Sequence, residues 1–227
     1  MKRIGIVGGM GPLASLFYAQ QLILKHPVSK DQEQFHIVLD SNSTIPDRTL
    51  ALLNQGESPV KAISKSLDML SDAQVDIGFI TCFTSHAFFN EFKDHAHFKL
   101  LNVFELLSSS KQLEGHKVGL LATSGTLNTQ LFQHALPHID FLVPNKDVQE
   151  NLVMKGIYDP HEGIKSNHIE AGAQYLLQAC DHLVKEGATL ILAGCTEVGL
   201  ALFDKNTPVP LIDPMMDMVE AIINQAQ

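Results

Sequence analysis

Two stretches of this 227-residue chain deliver a thiol in the same setting. Val75 to His86 reads Val-Asp-Ile-Gly-Phe-Ile-Thr-Cys-Phe-Thr-Ser-His, and Ala188 to Val198 reads Ala-Thr-Leu-Ile-Leu-Ala-Gly-Cys-Thr-Glu-Val. In each, a short apolar run rich in strand formers ends at a cysteine, Cys82 or Cys195, followed by hydroxyl residues where a helix is expected to begin. Backbone N–H groups and the dipole at a helix's amino end favour thiolate, so both thiols are expected to be acidified. Such a pair suits one task well. Inverting a carbon stereocentre by proton transfer needs a base on one face and an acid on the other, and matched thiols can exchange those roles with direction.

The elements that must position the thiols repeat as well. Cys82 and Cys195 are 113 positions apart, and Gly5 in Ile4-Gly5-Ile6-Val7 is 114 positions from Gly119 in Val118-Gly119-Leu120-Leu121. Two unrelated landmarks at one spacing imply two copies of one α/β unit. The expected architecture is therefore two pseudo-symmetric lobes, each a mainly parallel sheet flanked by helices, with an active site in the cleft between them and one thiol on each wall. The boundaries expected are 1–105 with 206–227 for the first lobe and 106–205 for the second.

Within the first lobe, strands are expected at Arg3 to Val7 and His36 to Asp40, and a helix from Leu13 to Lys25 that Pro12 opens. The polar stretch Ser41 to Thr49 reads as a loop carrying Arg48, and Val60 to Ala73 as an amphipathic helix with Ile63, Leu67 and Leu70 on one face. Leu100 to Val103 is expected to be a further strand. In the second lobe the expected elements are a strand at Asp140 to Val143, helices over Lys146 to Ile157 and Asn167 to Glu186, and a closing helix through Val219 and Ile222. Cys180 falls on the apolar face of the long helix, which makes it a packing residue.

Composition narrows the partners. A net charge of −9, with 16 scattered Lys and Arg residues, argues against nucleic acid and anionic membrane surfaces and points to a small ligand. Met1-Lys2-Arg3 with the following apolar residues resembles a secretory leader, but Gly8 to Pro12 interrupts the run too early, and no other run reaches membrane-spanning length. Three cysteines at wide, unequal spacing suit a reducing compartment, so the cytoplasm is expected.

Other motifs are ambiguous singly. Gly9-Met10-Gly11-Pro12-Leu13-Ala14 fits a dinucleotide-binding turn, with Asp40 where a ribose-binding acid would stand. Pro12 is awkward for packing against a pyrophosphate, and that reading leaves both thiols unexplained. Arg48 could clamp a carboxylate, Lys165 likewise, and Thr84, Ser85, Thr123, Ser124, Thr126 and Thr196 all fall at expected strand ends. A cleft so lined with donors suits a carboxylate ligand. Only His86 stands beside a candidate cysteine, so no metal site is expected.

These residues together resemble the PLP-independent aspartate/glutamate racemase family, its aspartate-racemase branch in particular. The matching stretches are Ile4 to Pro12, Ser41-Asn42 with Ile45 to Thr49, Cys82 with Thr84-Ser85-His86, Leu121-Ala122-Thr123 with Gly125-Thr126, Ile157-Tyr158 with Gly163-Ile164-Lys165, and Gly194 to Val198. The resemblance implies a cofactor-independent racemase, with aspartate as the expected substrate, and a homodimer. It assigns Cys82 and Cys195 as the acid/base pair, and Arg48 and Lys165 as ligands of the side-chain carboxylate. By the same likeness Met10, Thr84, Thr126 and Thr196 line the pocket around the amino-acid head group, and Ser85, a hydroxyl at the same strand end as Thr84, is expected in the substrate site with them. A dicarboxylate isomerase, a decarboxylase or an amino-acid-binding protein without turnover would use the same frame. One position departs from the family: Phe83 stands where an asparagine amide is usual, which removes a donor and adds apolar bulk.

Overall fold

A computed structural model describes residues 2–227; Met1, part of the leader-like start weighed above, lies outside them. The chain forms two compact units, one running to Leu106 and resuming over Met215–Gln227, the other Leu107–Pro214.

The first unit is built on four parallel strands, β1 (Arg3–Gly8), β2 (His36–Ser41), β3 (Ile77–Ile80) and β4 (Lys99–Leu100), in the order β2-β1-β3-β4. The second repeats it with β5 (Lys117–Leu121), β6 (Asp140–Leu142), β7 (Leu190–Ala193) and β8 (Leu211–Ile212) in the order β6-β5-β7-β8. Each is thus the α/β sheet expected from the repeated landmarks. Parallel strands need crossover helices on their faces, which is why β3 and β7 are apolar at every position and fully buried.

The helices follow local signals. Pro12 opens the helix Pro12–Leu24 behind Gly11. The helix Val60–Asp72 buries Ile63, Leu67 and Leu70 against the first sheet's core. The long helix Ile169–Lys185 buries Ala173, Leu176, Cys180 and Leu183 and stops at Gly187, whose φ of +101° suits glycine. Cys180 is wholly buried there, and burial pushes its thiol up to about 12, so it packs as a small hydrophobe. Among the described residues no helix is long and apolar enough to cross a membrane.

Several boundaries differ from the sequence expectation. The strand expected at Leu100 to Val103 stops at Leu100, because Asn102 caps a helix from Val103: its Oδ1 accepts from the Phe104 N–H at 2.9 Å. The loop expected to end at Thr49 turns helical at Arg48–Leu52, capped by Asp47, which accepts from the Leu50 N–H at 2.9 Å. Lys146 to Tyr158 is helical throughout, but its middle, Gln149–Met154, is wound as a π-helix. Residues 206–214, expected with the first lobe, stay with the second unit because Leu211–Ile212 pairs with β7; the chain returns at Met215.

Candidate functional site

In sheets of this order the connections that leave the first and third strands run in opposite directions, and the crevice at the carboxyl ends of those two neighbouring strands is where α/β folds bind ligands. In the first unit those strands are β1 and β3, and their ends carry Met10 and Cys82. In the second they are β5 and β7, ending at Ala122 to Thr126 and at Cys195.

In the first unit a buried serine joins the two strand ends. Ser15 Oγ accepts from the Gly9 N–H at 3.1 Å, donates to the Gly11 carbonyl at 2.8 Å, and lies 2.8 Å from Thr81 Oγ1. Gly9 has φ +86°, and a Cβ there would stand 2.3 Å from the Asn42 carbonyl carbon, so only glycine fits this turn. Arg48, 8% exposed, donates to the carbonyls of Ile45 at 3.2 Å, Pro46 at 3.0 Å and Met10 at 3.1 Å. Its guanidinium therefore ties the loop after β2 to the loop after β1.

Cys82 is 5% exposed and is followed by the 3-10 turn Thr84–Phe88, which packs against the Arg48–Leu52 helix. Thr84, Ser85 and His86 all lie buried in that turn. Ser85 Oγ donates to the Cys82 carbonyl at 2.7 Å. His86 Nδ1 lies 2.8 Å from the same oxygen, which can only accept, so the ring is the Nδ1–H tautomer. Burial pulls His86 down to about 4, against the two backbone hydrogen bonds, so it is neutral at physiological pH. Phe83 is 2% exposed and meets the Phe104 ring edge-on at 6.3 Å.

In the second unit Thr123 caps the short helix Ser124–Asn128, and its Oγ1 lies 3.2 Å from Thr126 Oγ1. Gln149, from the π-helix, donates to the Ala122 carbonyl at 2.9 Å and to Ser124 Oγ at 3.3 Å. Cys195 stands at the amino end of the helix Thr196–Leu202, without a side-chain capping bond, and is 7% exposed. Its Sγ donates to Glu197 Oε2 at 2.9 Å, which also accepts from Thr196 Oγ1 at 3.1 Å. Lys165, from the turn Ile164–Ser166, donates to Glu197 Oε1 at 2.7 Å, with the Tyr158 ring 5.4 Å away.

The electrostatics of Cys195 reverse the sequence expectation. Burial, then the Glu197 charge, push the thiol well above its ordinary value, although it stands at a helix's amino end; Lys165 opposes this only in part. Glu197 stays ionised: burial would raise it, but Lys165 and the hydrogen bonds it accepts hold it below the usual carboxylate range. Burial likewise works against the Lys165 cation, and Glu197 outweighs it, so Lys165 is held up.

The structure thus groups Met10 with Arg48, and Thr84 and Ser85 with Cys82, in the first unit; in the second it groups Lys165 and Thr196 with Cys195, while Thr126 pairs with Thr123 on the β5 loop. Three buried residues had no assigned role in the sequence. Glu197 carried a signal, an acid two positions after a cysteine. Ser15 and Gln149 carried none, since each joins a strand-end loop to groups that only the fold brings near, Thr81 for Ser15 and the Ala122 carbonyl with Ser124 for Gln149.

Comparison with known proteins agrees with this arrangement. The sequence model of the Asp/Glu/Hydantoin racemase family matches residues 7–222. The Broad specificity amino-acid racemase RacX of Bacillus subtilis is 23% identical over 97% of this chain and 96% of its own. The solved Picrophilus torridus aspartate racemase superposes with a TM-score of 0.85 and 26% identity, covering all of this chain and 94% of that one. Glutamate racemase from Aquifex pyrophilus shares the fold, with a TM-score of 0.60 and 16% identity over 99% of this chain and 84% of its own.

Two consequences can be measured. His86 has its folded pKa, about 4, below its ordinary 6.5, so the unfolded chain binds the extra proton in that window and stability should fall as pH drops through it, by about 3 kcal/mol in all. Urea unfolding across that range should show the slope, and His86→Phe should flatten it; an equal slope in the variant would contradict the assignment. Lys165→Met strips a buried carboxylate of its cation and should cost about 3 kcal/mol or more, whereas Lys165→Met/Glu197→Gln should recover most of the loss. A double variant no more stable than the single one would mean that the pair is not what holds this corner.

Proposed function

The chain belongs to the PLP-independent Asp/Glu/Hydantoin racemase family, a family of isomerases, and from that premise we propose that it racemises a free amino acid by two-thiol proton transfer, with aspartate the first substrate to test. The observation that carries the reading is the equivalence of Cys82 and Cys195: each follows the third strand, in chain order, of a sheet with the same strand order, beside the same topological reversal. One cysteine as thiolate removes the Cα proton, and the other as thiol protonates the opposite face. The proposal requires that both thiols reach one substrate. Arg48 and Lys165 are the cations proposed for its side-chain carboxylate, with Met10, Thr84, Ser85, Thr126 and Thr196 around the rest of it.

Phe83 bears on substrate choice. Its ring is committed to Phe104 in the first unit's core, so the family amide has no replacement at this position. The name of the Bacillus subtilis relative, a broad specificity amino-acid racemase, makes a panel of amino acids the right assay rather than aspartate alone. We further propose a cytoplasmic homodimer. Leu16, Ile23 and Leu24 on the Pro12–Leu24 helix are 54%, 47% and 61% exposed, an aliphatic stripe at helical spacing that a second copy of the chain would cover.

Proton NMR in heavy water, without cofactor or metal, should show loss of the Cα–H signal of L-aspartate or another member of the panel as the D-enantiomer forms. Cys82→Ala and Cys195→Ala should each lower racemisation by roughly a hundred- to ten-thousand-fold. Proton exchange from a single enantiomer should survive in each. Wild-type rates in both variants would rule out the mechanism. For the assembly, sedimentation should give a dimer, and Leu16→Glu/Leu24→Glu a folded monomer; a monomeric parent chain refutes it.

A further inference from the structure

Cys195 and Lys165 hold opposite oxygens of one carboxylate. Glu197 Oε2 takes the thiol at 2.9 Å, and Oε1 takes the ammonium at 2.7 Å. The Glu197 side chain is 3% exposed and that of Lys165 19%, so the carboxylate charge is met by Lys165 and its hydrogen-bond donors rather than by bulk water. Among the described residues the charged groups that weigh most on the sulfur are Glu197, from the helix Thr196–Leu202, and Lys165, from the turn Ile164–Ser166, with the Tyr158 ring beside Lys165. In this state the ion pair is satisfied and the sulfur keeps its proton, which is the arrangement burial favours.

That arrangement stores the base in its inactive form. We infer that the Glu197–Lys165 pair is a substrate-operated lock on the Cys195 proton: a ligand carboxylate that engages Lys165 draws it from Glu197, and the thiol proton then passes to Glu197. The inference rests on the reading above in which Lys165 receives the substrate's side-chain carboxylate. In the step the Sγ–H bond breaks and an Oε2–H bond forms; the electron pair stays on sulfur as thiolate. Lys165 keeps its proton and pairs with the incoming carboxylate, so one negative charge has moved from Glu197 to sulfur. The cause is electrostatic. Two carboxylates beside one cation repel, and a buried carboxylate deprived of its cation relieves the cost by taking the nearest proton. Glu197 is on this account a positioning residue for the proton, and the thiolate arises when a carboxylate ligand is present. Between turnovers the sulfur rests as the less oxidisable thiol.

The test uses the full chain carrying Cys82→Ala and Cys180→Ala, which leaves Cys195 as its thiol, and succinate, a dicarboxylate without an amino group. At neutral pH saturating succinate should raise the ultraviolet thiolate absorbance roughly tenfold, the change that about one pKa unit produces. With Glu197→Gln added, succinate should leave the signal unchanged or lower it, since the amide takes no proton and the ligand then only shields sulfur from Lys165. The inference is overturned by no rise in the parent form, whether succinate fails to bind or binds without moving the proton, and equally by the same rise in the glutamine form. Should removing the other thiols unfold the chain, NMR of labelled cysteine Cβ in the unaltered protein reads the same ionisation. A succinate response without Cα exchange on any amino acid keeps the lock and refutes racemisation; exchange without the response does the reverse.

Discussion

The constraint on which the rest depends is the reversal of strand order beside the first strand of each sheet. Because β2 lies on one side of β1 and β3 on the other, the loops leaving β1 and β3 diverge, which is the arrangement that leaves room for a ligand at the strand ends of α/β folds. The second sheet does the same with β5 and β7. Everything assigned a chemical role stands in or beside those loops, and the fully buried strands beneath supply rigidity rather than chemistry.

The repetition of the fold is not matched by a repetition of its polar contacts. At Cys82 the neighbouring side chains attend to the backbone: Ser85 and His86 both bind the cysteine's carbonyl and fix the turn that carries the thiol. At Cys195 they attend to the sulfur itself, through Glu197. The loops after the first strands differ likewise, since Arg48 reaches the Met10 carbonyl in one unit while the neutral Gln149 reaches the Ala122 carbonyl in the other. A duplicated scaffold therefore presents two thiols whose electrostatic surroundings are unlike.

The fold was legible because its signals are local and periodic. Apolar four-residue runs, glycine-rich turns and the helical spacing of Ala173, Leu176, Cys180 and Leu183 specify elements without reference to the rest of the chain. The two thiols were legible for the same reason, being the ends of those runs. What was misjudged depended on a side chain capturing a backbone group, as Asn102 does in converting an expected strand into a helix start, and what was not foreseen depended on a contact across many residues, as between Lys165 and Glu197. No spacing rule links positions 165 and 197; the turn that precedes the long helix and the helix that follows β7 bring them together.

The expectation that Cys195 would be acidified failed for a reason of magnitude rather than of geometry. Cys195 does stand at a helix's amino end, as expected, but a helix end contributes about 0.3–1 kcal/mol in ordinary settings. A full charge at about 4 Å contributes about 4 kcal/mol even at an effective dielectric of 20. Glu197 is such a charge, in hydrogen-bond contact with the sulfur, and burial adds to its effect rather than screening it. A dipole argument made from sequence position holds only where no ionised side chain stands closer than the helix end. Here burial first, and then the acid two residues beyond the cysteine, placed by the first turn of the same helix, keep the proton on sulfur.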